Sequence, residues 1–253
     1  MGILMIILQV RLKNIMKHKK YQNKNNEDLY VLHFPGTGII GHENIIRENL
    51  DRPIQMDSNL SIISVMNQSC YDKSFIVKQC TYNNIPIFNT AINEQKWNNC
   101  MKINHILECL EQIKTDYVLI LDGRDTLIVN DLDATFIEKY LSYKVSVVYN
   151  ATPIPYPNAV VEPLQELLKI SGTHKFLNAG ICVGVKEALV EFYKQAKIIN
   201  DKIYNNSSEQ YIIRLAKEKN PSLTGIDNEL KLFRIVHQYD TIIKENNNIV
   251  QLI

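Results

Sequence analysis

A continuous apolar run, DYVLILD at residues 116–122, is the feature of this sequence that most constrains its fold. A strand buried on both faces of a sheet shows such an unbroken run, whereas a half-exposed strand alternates apolar and polar residues. Shorter runs lie at residues 60–66 and 85–88, and an amphipathic helix is predicted at residues 101–113. Strands that alternate with helices need crossover connections, so the sequence predicts an α/β fold with a mostly parallel central sheet.

The same patterns continue along the chain. The other predicted elements are helices at residues 74–82, 132–141, 186–199 and 209–219, strands at residues 145–149 and 230–236, and an apolar stretch at residues 175–185. We expect one folded domain at residues 29–253, preceded at residues 1–28 by an apolar and basic segment and a polar linker. The apolar part, GILMIILQV, is far shorter than the roughly 20 residues of a membrane-spanning helix. A short terminal helix is therefore expected, with a peripheral amphipathic anchor as the alternative.

Charge and cysteine content exclude some classes of protein. The chain has 28 Lys and Arg against 27 Asp and Glu, so it has no overall field that would attract nucleic acid. The 5 cysteines have no CxxC spacing and their number is odd, so neither a disulfide framework nor a zinc site is indicated. We expect free thiols in a reducing compartment, which favours a cytoplasmic protein.

Two aspartates follow the apolar strand, in the sequence DGRDTL at residues 122–127. Ligands of open α/β sheets bind at the carboxyl ends of the strands, and the glycine turn allows Asp122 and Asp125 to converge there. Two carboxylates suit Mg²⁺ or Mn²⁺ that also contacts a diphosphate, whose departure the metal would assist as a Lewis acid. In the alternative reading, Asp122 caps the strand and Asp125 pairs with Arg124 on the surface. The pair is also similar to the nucleophile motif of haloacid-dehalogenase-like phosphatases, although that motif has its aspartates two residues apart.

Three segments resemble the GT-A glycosyltransferases, a Rossmann-like family, in the family's order. They are DYVLILDGRDTLIV, KFLNAGICVGVKEAL, and SSEQYIIRLA followed by GIDNELKLFRIV. The resemblance is closest to the glycosyltransferase domain of procollagen lysyl hydroxylases and to related collagen and lipooligosaccharide transferases. It covers residues 60–253 and implies a GT-A fold with a D-x-x-D form of the metal motif.

The resemblance also implies roles for particular residues. Asp122 and Asp125 would bind the metal, and Gly123 between them would contact the cofactor. The backbone turn near the sugar would contain Asn178, Gly180 and Gly184, and the catalytic residues would be Asn178, Glu209 and Gln210. Nucleotide binding would involve Lys102 at a phosphate or the base, and Val65, Asn67 and Tyr71 at the uridine. Ser208 stands where the family has its first aspartate, which leaves Glu209 as a single carboxylate.

Relatives complete the metal site with a histidine in an H-x-x-G segment after the last strand. Here a segment of that type, HFPGTG, lies near the N-terminus at residues 33–38. It is either permuted to the front of the same domain, or the tail of a preceding domain in a tandem protein, or a coincidence. If His33 ligates the metal, Gly36 and Gly38 would bring backbone amides near the diphosphate.

These features together predict a metal-dependent hexosyltransferase. It would use Mn²⁺ or Mg²⁺ and a UDP-sugar donor, and its acceptor would be a hydroxyl group on a protein or a glycan. Two alternatives stay open, a haloacid-dehalogenase-like phosphatase with Asp122 as its nucleophile and a glycosyltransferase-like domain that binds without turnover. A tandem domain or a second copy of the chain is an expected partner.

Overall fold

The computed structural model describes residues 19–158, 161–170, 172–203, 208–238, 242–246 and 249–252. The strands in this part of the chain are β1 (Lys20–Gln22), β2 (Val31–His33), β3 (Leu60–Ile63), β4 (Ile87–Phe88), β5 (Tyr117–Leu121), β6 (Thr126–Ile128), β7 (Val147–Thr152), β8 (Phe176–Val185), β9 (Thr224–Ile226), β10 (Phe233–Ile235), β11 (Ile242–Asn246) and β12 (Ile249–Leu252). The α-helices are α1 (Glu43–Asn49), α2 (Gln68–Tyr71), α3 (Phe75–Tyr82), α4 (Lys102–Gln112), α5 (Ala134–Leu141), α6 (Leu164–Lys169), α7 (Lys186–Lys202) and α8 (Glu209–Lys219).

The largest sheet has the strand order β4-β3-β5-β8-β7-β9. Strand β8 runs antiparallel to both of its neighbours, and the other pairs in this sheet are parallel. The predicted α/β fold with a mostly parallel central sheet is therefore confirmed. Most of its strands had been recognised from their apolar runs, although β8 is one continuous strand and β9 was not predicted.

The central strand β5 is apolar throughout because helices cover both faces of the sheet. Val118 and Ile120 pack into a core with α4, α7 and α8. Leu119 and Leu121, which point the opposite way, pack into a second core with α3 and α5. Successive side chains of a strand point to opposite faces of the sheet, and here the side chains on both faces are buried. This arrangement places Asp122, the next residue, at the carboxyl end of the sheet.

A smaller sheet, with the order β10-β2-β6, holds the N-terminal histidine segment against the domain. Its register pairs His33 with Thr126 on the antiparallel strand β6 and with Ile235 on the parallel strand β10. Strand β6 begins directly after Asp125. The HFPGTG segment and the acidic pair thus lie in the same fold.

A third sheet, β1-β12-β11, corrects the boundary of the predicted linker. Lys20–Gln22 pairs in parallel with β12, and the side chain of Tyr21 is fully buried beside Val250 and Leu252. The polar sequence here contains few apolar residues, and the strand that pairs with it lies more than two hundred residues away, so local patterns could not reveal the strand. The apolar segment expected to form a terminal helix or an anchor lies in residues 1–18, outside the described residues.

The remaining expectations concern the cysteines and the membrane. All 5 cysteines, which lie within the described residues, are free thiols. Among the residues that the structure describes, no helix has the length and apolar character needed to cross a bilayer.

The side chain of Gln79 connects strand β6 to the residue that ends helix α1 through hydrogen bonds, and replacing Gln79 tests how much these bonds stabilise the fold. The amide of this fully buried residue donates to the carbonyls of Asn49 and Ile128, at 2.7 and 2.8 Å, and accepts from the Ile128 N–H at 2.8 Å. Gln79→Leu leaves these backbone groups buried without partners, so we expect the free energy of unfolding to fall by about 2–4 kcal/mol. Urea denaturation measures it, with the exposed neighbour Lys78→Ala as control; a loss below about 0.5 kcal/mol in Gln79→Leu would contradict this role.

Candidate active site

The end of strand β5 is shaped by hydrogen bonds around Asp122. Its backbone N–H donates to the carbonyl of Gly180 at 2.7 Å, and its own carbonyl accepts from the Thr126 hydroxyl at 2.7 Å. The Gly123 N–H donates to Asp122 Oδ1 at 3.0 Å, which orients the carboxylate. The turn then brings Asp125 back beside β2, where its carbonyl accepts from the Phe34 N–H at 2.9 Å. Both carboxylates therefore lie next to the end of β2.

His33, Asp122 and Asp125 form a cluster with the spacing of a metal site. His33 Nε2 lies 3.3 Å from Asp125 Oδ1 and 3.7 Å from Asp122 Oδ2. One ligand atom from each residue lies within 4.8 Å of the other two. Although Asp125 Oδ1 is buried, it accepts no hydrogen bond from the described residues, and its short distance to His33 lacks hydrogen-bond geometry. A buried carboxylate oxygen without a donor is the condition that a cation would satisfy.

Gly180 provides the space that the His33 ring occupies. A Cβ atom at this position would lie 2.4 Å from His33 Cε1 and 2.8 Å from His33 Nδ1, distances shorter than van der Waals contact. The register of β8 with β7 shifts nearby, since Tyr149 pairs with Cys182 whereas Asn150 pairs with Asn178. The predicted turn around Gly180 is therefore an irregularity within a strand.

Lys102, at the start of α4, joins two carboxylates of the site. Its ammonium group lies 2.9 Å from Asp122 Oδ1 and 3.2 Å from Glu209 Oε2, and both carboxylates are largely shielded from solvent. Glu209 is the first residue of α8, where the partial positive charge of the helix N-terminus also favours an anion. The charge of Lys102 is therefore compensated by two protein carboxylates, and its contact with a phosphate or the base stays a prediction.

The pKa values of the cluster reflect this network. Burial lowers the pKa of His33, but the nearby carboxylates of Asp125 and Asp122 outweigh burial, so the pKa is raised. Burial raises the pKa of Asp122, but Lys102 and His33 outweigh it, so this pKa is lowered. Burial raises the pKa of Glu209 to about 7; the charge of Lys102 opposes the rise and that of Asp122 adds to it. Near neutral pH, Glu209 can thus both accept and donate a proton.

A cavity of ≈ 580 Å³ opens over these side chains. Of the predicted site residues, it is lined by His33, Gly36, Lys102, Asp122, Asp125, Asn178, Gly180, Glu209 and Gln210. The Asn178 side-chain oxygen accepts from the Gly180 N–H at 3.0 Å, so its amide nitrogen is the group that can donate to a ligand. The Gln210 amide is bonded to strand β8 instead, through the Ala179 N–H at 3.0 Å and the Leu177 carbonyl at 3.1 Å.

Other predicted residues do not line this cavity within the described part of the chain. Val65 is buried at the end of β3, Asn67 caps α2 by accepting from the Cys70 N–H, and Tyr71 packs on a hydrophobic core. Gly38, Gly123 and Gly184 allow close packing against Val236, Met66 and Ser146 respectively. Gly184 lies in the regular part of β8 and not in a turn, which corrects its predicted place beside the sugar.

Sequence patterns missed part of the cavity wall. Thr152, Ile154 and Tyr156, at the end of β7 and after it, line the cavity together with Asn99 and His237. The proline-rich sequence ATPIPYP, at residues 151–157, is typical of a loop and gives no signal of a cavity wall. A basic residue among the apolar residues of α8, Arg214 in IIRLA, was an available signal, because a buried arginine needs a partner.

Comparison with known proteins leaves the family open. No family model and no curated protein sequence matches the chain. The solved structures that resemble it include two that each share 8% identity over 66% of this chain and 86% of the other. One is the 2-C-methyl-D-erythritol 4-phosphate cytidylyltransferase from Thermus thermophilus, with a TM-score of 0.34. The other, with a TM-score of 0.33, is described as a candidate glucose-1-phosphate thymidylyltransferase from Bacillus anthracis in complex with a sucrose.

Both neighbours are thus described as nucleotidyltransferases, but TM-scores below 0.5 carry no argument about function. The fold class follows from the strand order of the largest sheet. The resemblance to the GT-A glycosyltransferases and to the lysyl hydroxylase domain stays a prediction from the three motifs.

The space beside Gly180 can be tested by filling it. Gly180→Ala places a methyl group on the His33 ring, so we expect the ring to be displaced and the affinity for Mn²⁺ to fall at least about tenfold, or about 1.4 kcal/mol. Isothermal titration with MnCl₂ measures the affinity. Gly225→Ala in β9 is a matched control, because its Cβ would only approach a Val145 methyl group at 3.0 Å. Unchanged Mn²⁺ affinity in a folded Gly180→Ala variant would show that His33 is not a ligand.

The raised pKa of Glu209 predicts a pH dependence of stability. A carboxyl group whose pKa rises from 4.5 to about 7 on folding stabilises the fold fully below pH 4.5, and this contribution is lost as the pH rises through about 7. Glu209→Gln removes that dependence, so we expect the variant to gain up to about 3 kcal/mol relative to wild type between pH 5 and pH 8. Urea denaturation in EDTA at both pH values measures the difference, and a gap between the two proteins that does not change with pH would contradict the raised pKa.

Proposed function

We propose that this chain is a metal-dependent glycosyltransferase that moves a hexose from a UDP-sugar to a hydroxyl group of a glycan or protein acceptor. The observation that carries the proposal is the cluster of His33, Asp122 and Asp125 inside a cavity that Asn178 and Glu209 also line. The acidic pair and the histidine come from distant parts of the sequence, so their meeting does not follow from local chain geometry.

The cluster has the chemistry that a divalent cation needs. One imidazole and two carboxylates suit Mn²⁺ or Mg²⁺, and Asp125 Oδ1 is a buried oxygen that lacks a donor. Three carboxylates around the cavity are balanced within the cluster by Lys102 and by the titratable His33. An ion held there would neutralise the negative charge that develops on a departing diphosphate.

The protein's own groups would position the sugar and the acceptor. Glu209 lines the cavity with a pKa of about 7, so it can take a proton from an acceptor hydroxyl or hydrogen-bond to the sugar. Asn178, whose oxygen is fixed by Gly180, offers its amide nitrogen to a sugar hydroxyl. Lys102 keeps Asp122 and Glu209 at a fixed distance from each other and maintains the negative charge of Asp122. Such preorganised polar groups favour a transition state over the free reactants.

The motif order gives independent support. Asp122–Asp125, the Asn178–Gly180 part of β8 and Glu209 follow one another as in the GT-A glycosyltransferases that the sequence resembles. Ser208 departs from that pattern, because it lines the cavity where the family has an aspartate. The proposal therefore assigns the acid–base role to Glu209 alone.

Thermal unfolding with UDP and MnCl₂ tests the proposal. A ligand at about 100 times its dissociation constant adds about 2.7 kcal/mol, which should raise the melting temperature of a chain of this size by about 5–10 °C. We expect the increase to need both UDP and Mn²⁺ and to disappear in Asp125→Asn. The matched control is Asp51→Asn, because Asp51 is exposed and lies outside the site.

Activity measurements then separate the alternatives. Manganese-dependent release of UDP from UDP-glucose or UDP-galactose supports the transferase. Binding of UDP and Mn²⁺ without consumption of any nucleotide sugar would identify a domain that binds without turnover. Release of phosphate from a generic phosphomonoester, without any response to UDP, would instead support the phosphatase with Asp122 as nucleophile.

A further inference from the structure

Arg214 is a fully buried arginine on α8, the helix that begins with Glu209. Its Nε donates to Glu162 Oε1 at 2.7 Å and its Nη2 donates to Glu162 Oε2 at 2.5 Å. Its Nη1 points to the carbonyls of Tyr156 and Pro157, at 3.4 and 3.3 Å. Its guanidinium carbon lies 5.8 Å from the centre of the Phe176 ring, at the start of β8. A single side chain therefore contacts three parts of the chain that line the cavity or lead into it.

Fold stability alone does not explain this ion pair. Removing two charges from water is costly, and well-packed apolar residues of similar volume often give equal or greater stability. What an arginine adds is a planar set of donors that fixes the position of each acceptor. The bidentate bond orients the guanidinium on Glu162, and the remaining donor then determines where the carbonyls of Tyr156 and Pro157 lie.

Few other interactions fix the segment whose carbonyls Arg214 contacts. Residues 153–157 have the sequence PIPYP, so three of their five backbone nitrogens carry no hydrogen. Residues Ile154 and Tyr156 are 68% and 66% exposed, so burial does not fix their positions. Each proline fixes the φ angle of its own residue, so anchoring the last carbonyls of the segment restricts the positions that its other residues can take.

We propose that Arg214, together with Glu162, is a positioning residue that holds Ile154 and Tyr156 in the lining of the cavity. These two residues are uncharged, in contrast to the metal cluster, Lys102 and Glu209 in the same lining. The proposal rests on the transfer proposed for this cavity. Because Arg214 bonds to Glu162 and to the carbonyls of Tyr156 and Pro157, and not through these bonds to the metal cluster, the loss of this pair disturbs the reaction more than it disturbs the binding of metal and UDP.

The conservative variant Arg214→Lys tests this, since it keeps the charge but removes the planar donors. We expect the affinity for UDP with Mn²⁺ to stay within about twofold of wild type, while kcat/KM for manganese-dependent consumption of UDP-glucose or UDP-galactose falls about tenfold. Glu162→Gln should show the same small change in UDP affinity and the same loss in kcat/KM. It replaces Arg214→Lys in the experiment if that variant does not fold. Ile213→Val is the control, because it alters a buried residue of the same helix that is not part of the cavity lining.

A second measurement reports on the segment without any substrate. In protein labelled with ¹³C at the isoleucine δ1 methyl groups, the Ile154 signal is assigned by its loss in Ile154→Val. We expect this signal to shift and its order parameter to fall in Arg214→Lys, and to stay unchanged in Ile213→Val. An unaltered Ile154 signal, a kcat/KM within twofold of wild type, or an equal loss in Ile213→Val would each overturn the proposal. Wild-type protein that fails to bind UDP with Mn²⁺ would instead refute the proposed function, and the Ile154 signal would still decide whether Arg214 positions the segment.

Discussion

The approach of His33 to Asp122 and Asp125 is the interaction on which the site depends. It is produced by backbone pairing, because strand β2 lies between β6 and β10 and its register places His33 opposite the residue that follows Asp125. Two carboxylates so close together repel each other unless a positive charge lies between or beside them. The protein supplies part of that charge through the raised pKa of His33 and through Lys102. The remaining electron pairs, above all on Asp125 Oδ1, favour a cation.

A second constraint concerns the division of the cavity into two kinds of surface. One side consists of charged groups that neutralise one another through short contacts, with Lys102 between Asp122 and Glu209. Uncharged residues, including Ile154 and Tyr156, also line the cavity, and the carbonyl of Tyr156 contacts Arg214 of a buried ion pair. Such a division suits a substrate with one highly charged part and one neutral part. A nucleoside diphosphate joined to a sugar is a molecule of this type.

Local patterns were sufficient for much of the fold, and they failed where distant segments meet. The unbroken apolar run of β5 predicted a strand covered on both faces, and the aspartates after it were correctly placed at the sheet end. The strand at Lys20–Gln22 was missed because its partner is β12, and a polar trio carries no signal of its own. The geometry of Gln210 could not be anticipated either, because its amide bonds to an irregular part of β8 that is visible only in three dimensions. Arg214 illustrates the same point, since its partner Glu162 lies in a stretch without periodicity.

The pairing of β2 with β10 also has a consequence for biosynthesis. His33 leaves the ribosome well before Ile235, its neighbour across the sheet, because most of the domain is synthesised between them. Contacts between such distant segments form late and slow the folding of a chain. Throughout that interval the nascent polypeptide carries the histidine, and later the acidic pair, without the strand that completes their sheet. The three-stranded sheet that contains the histidine can therefore be completed only after translation has passed Ile235.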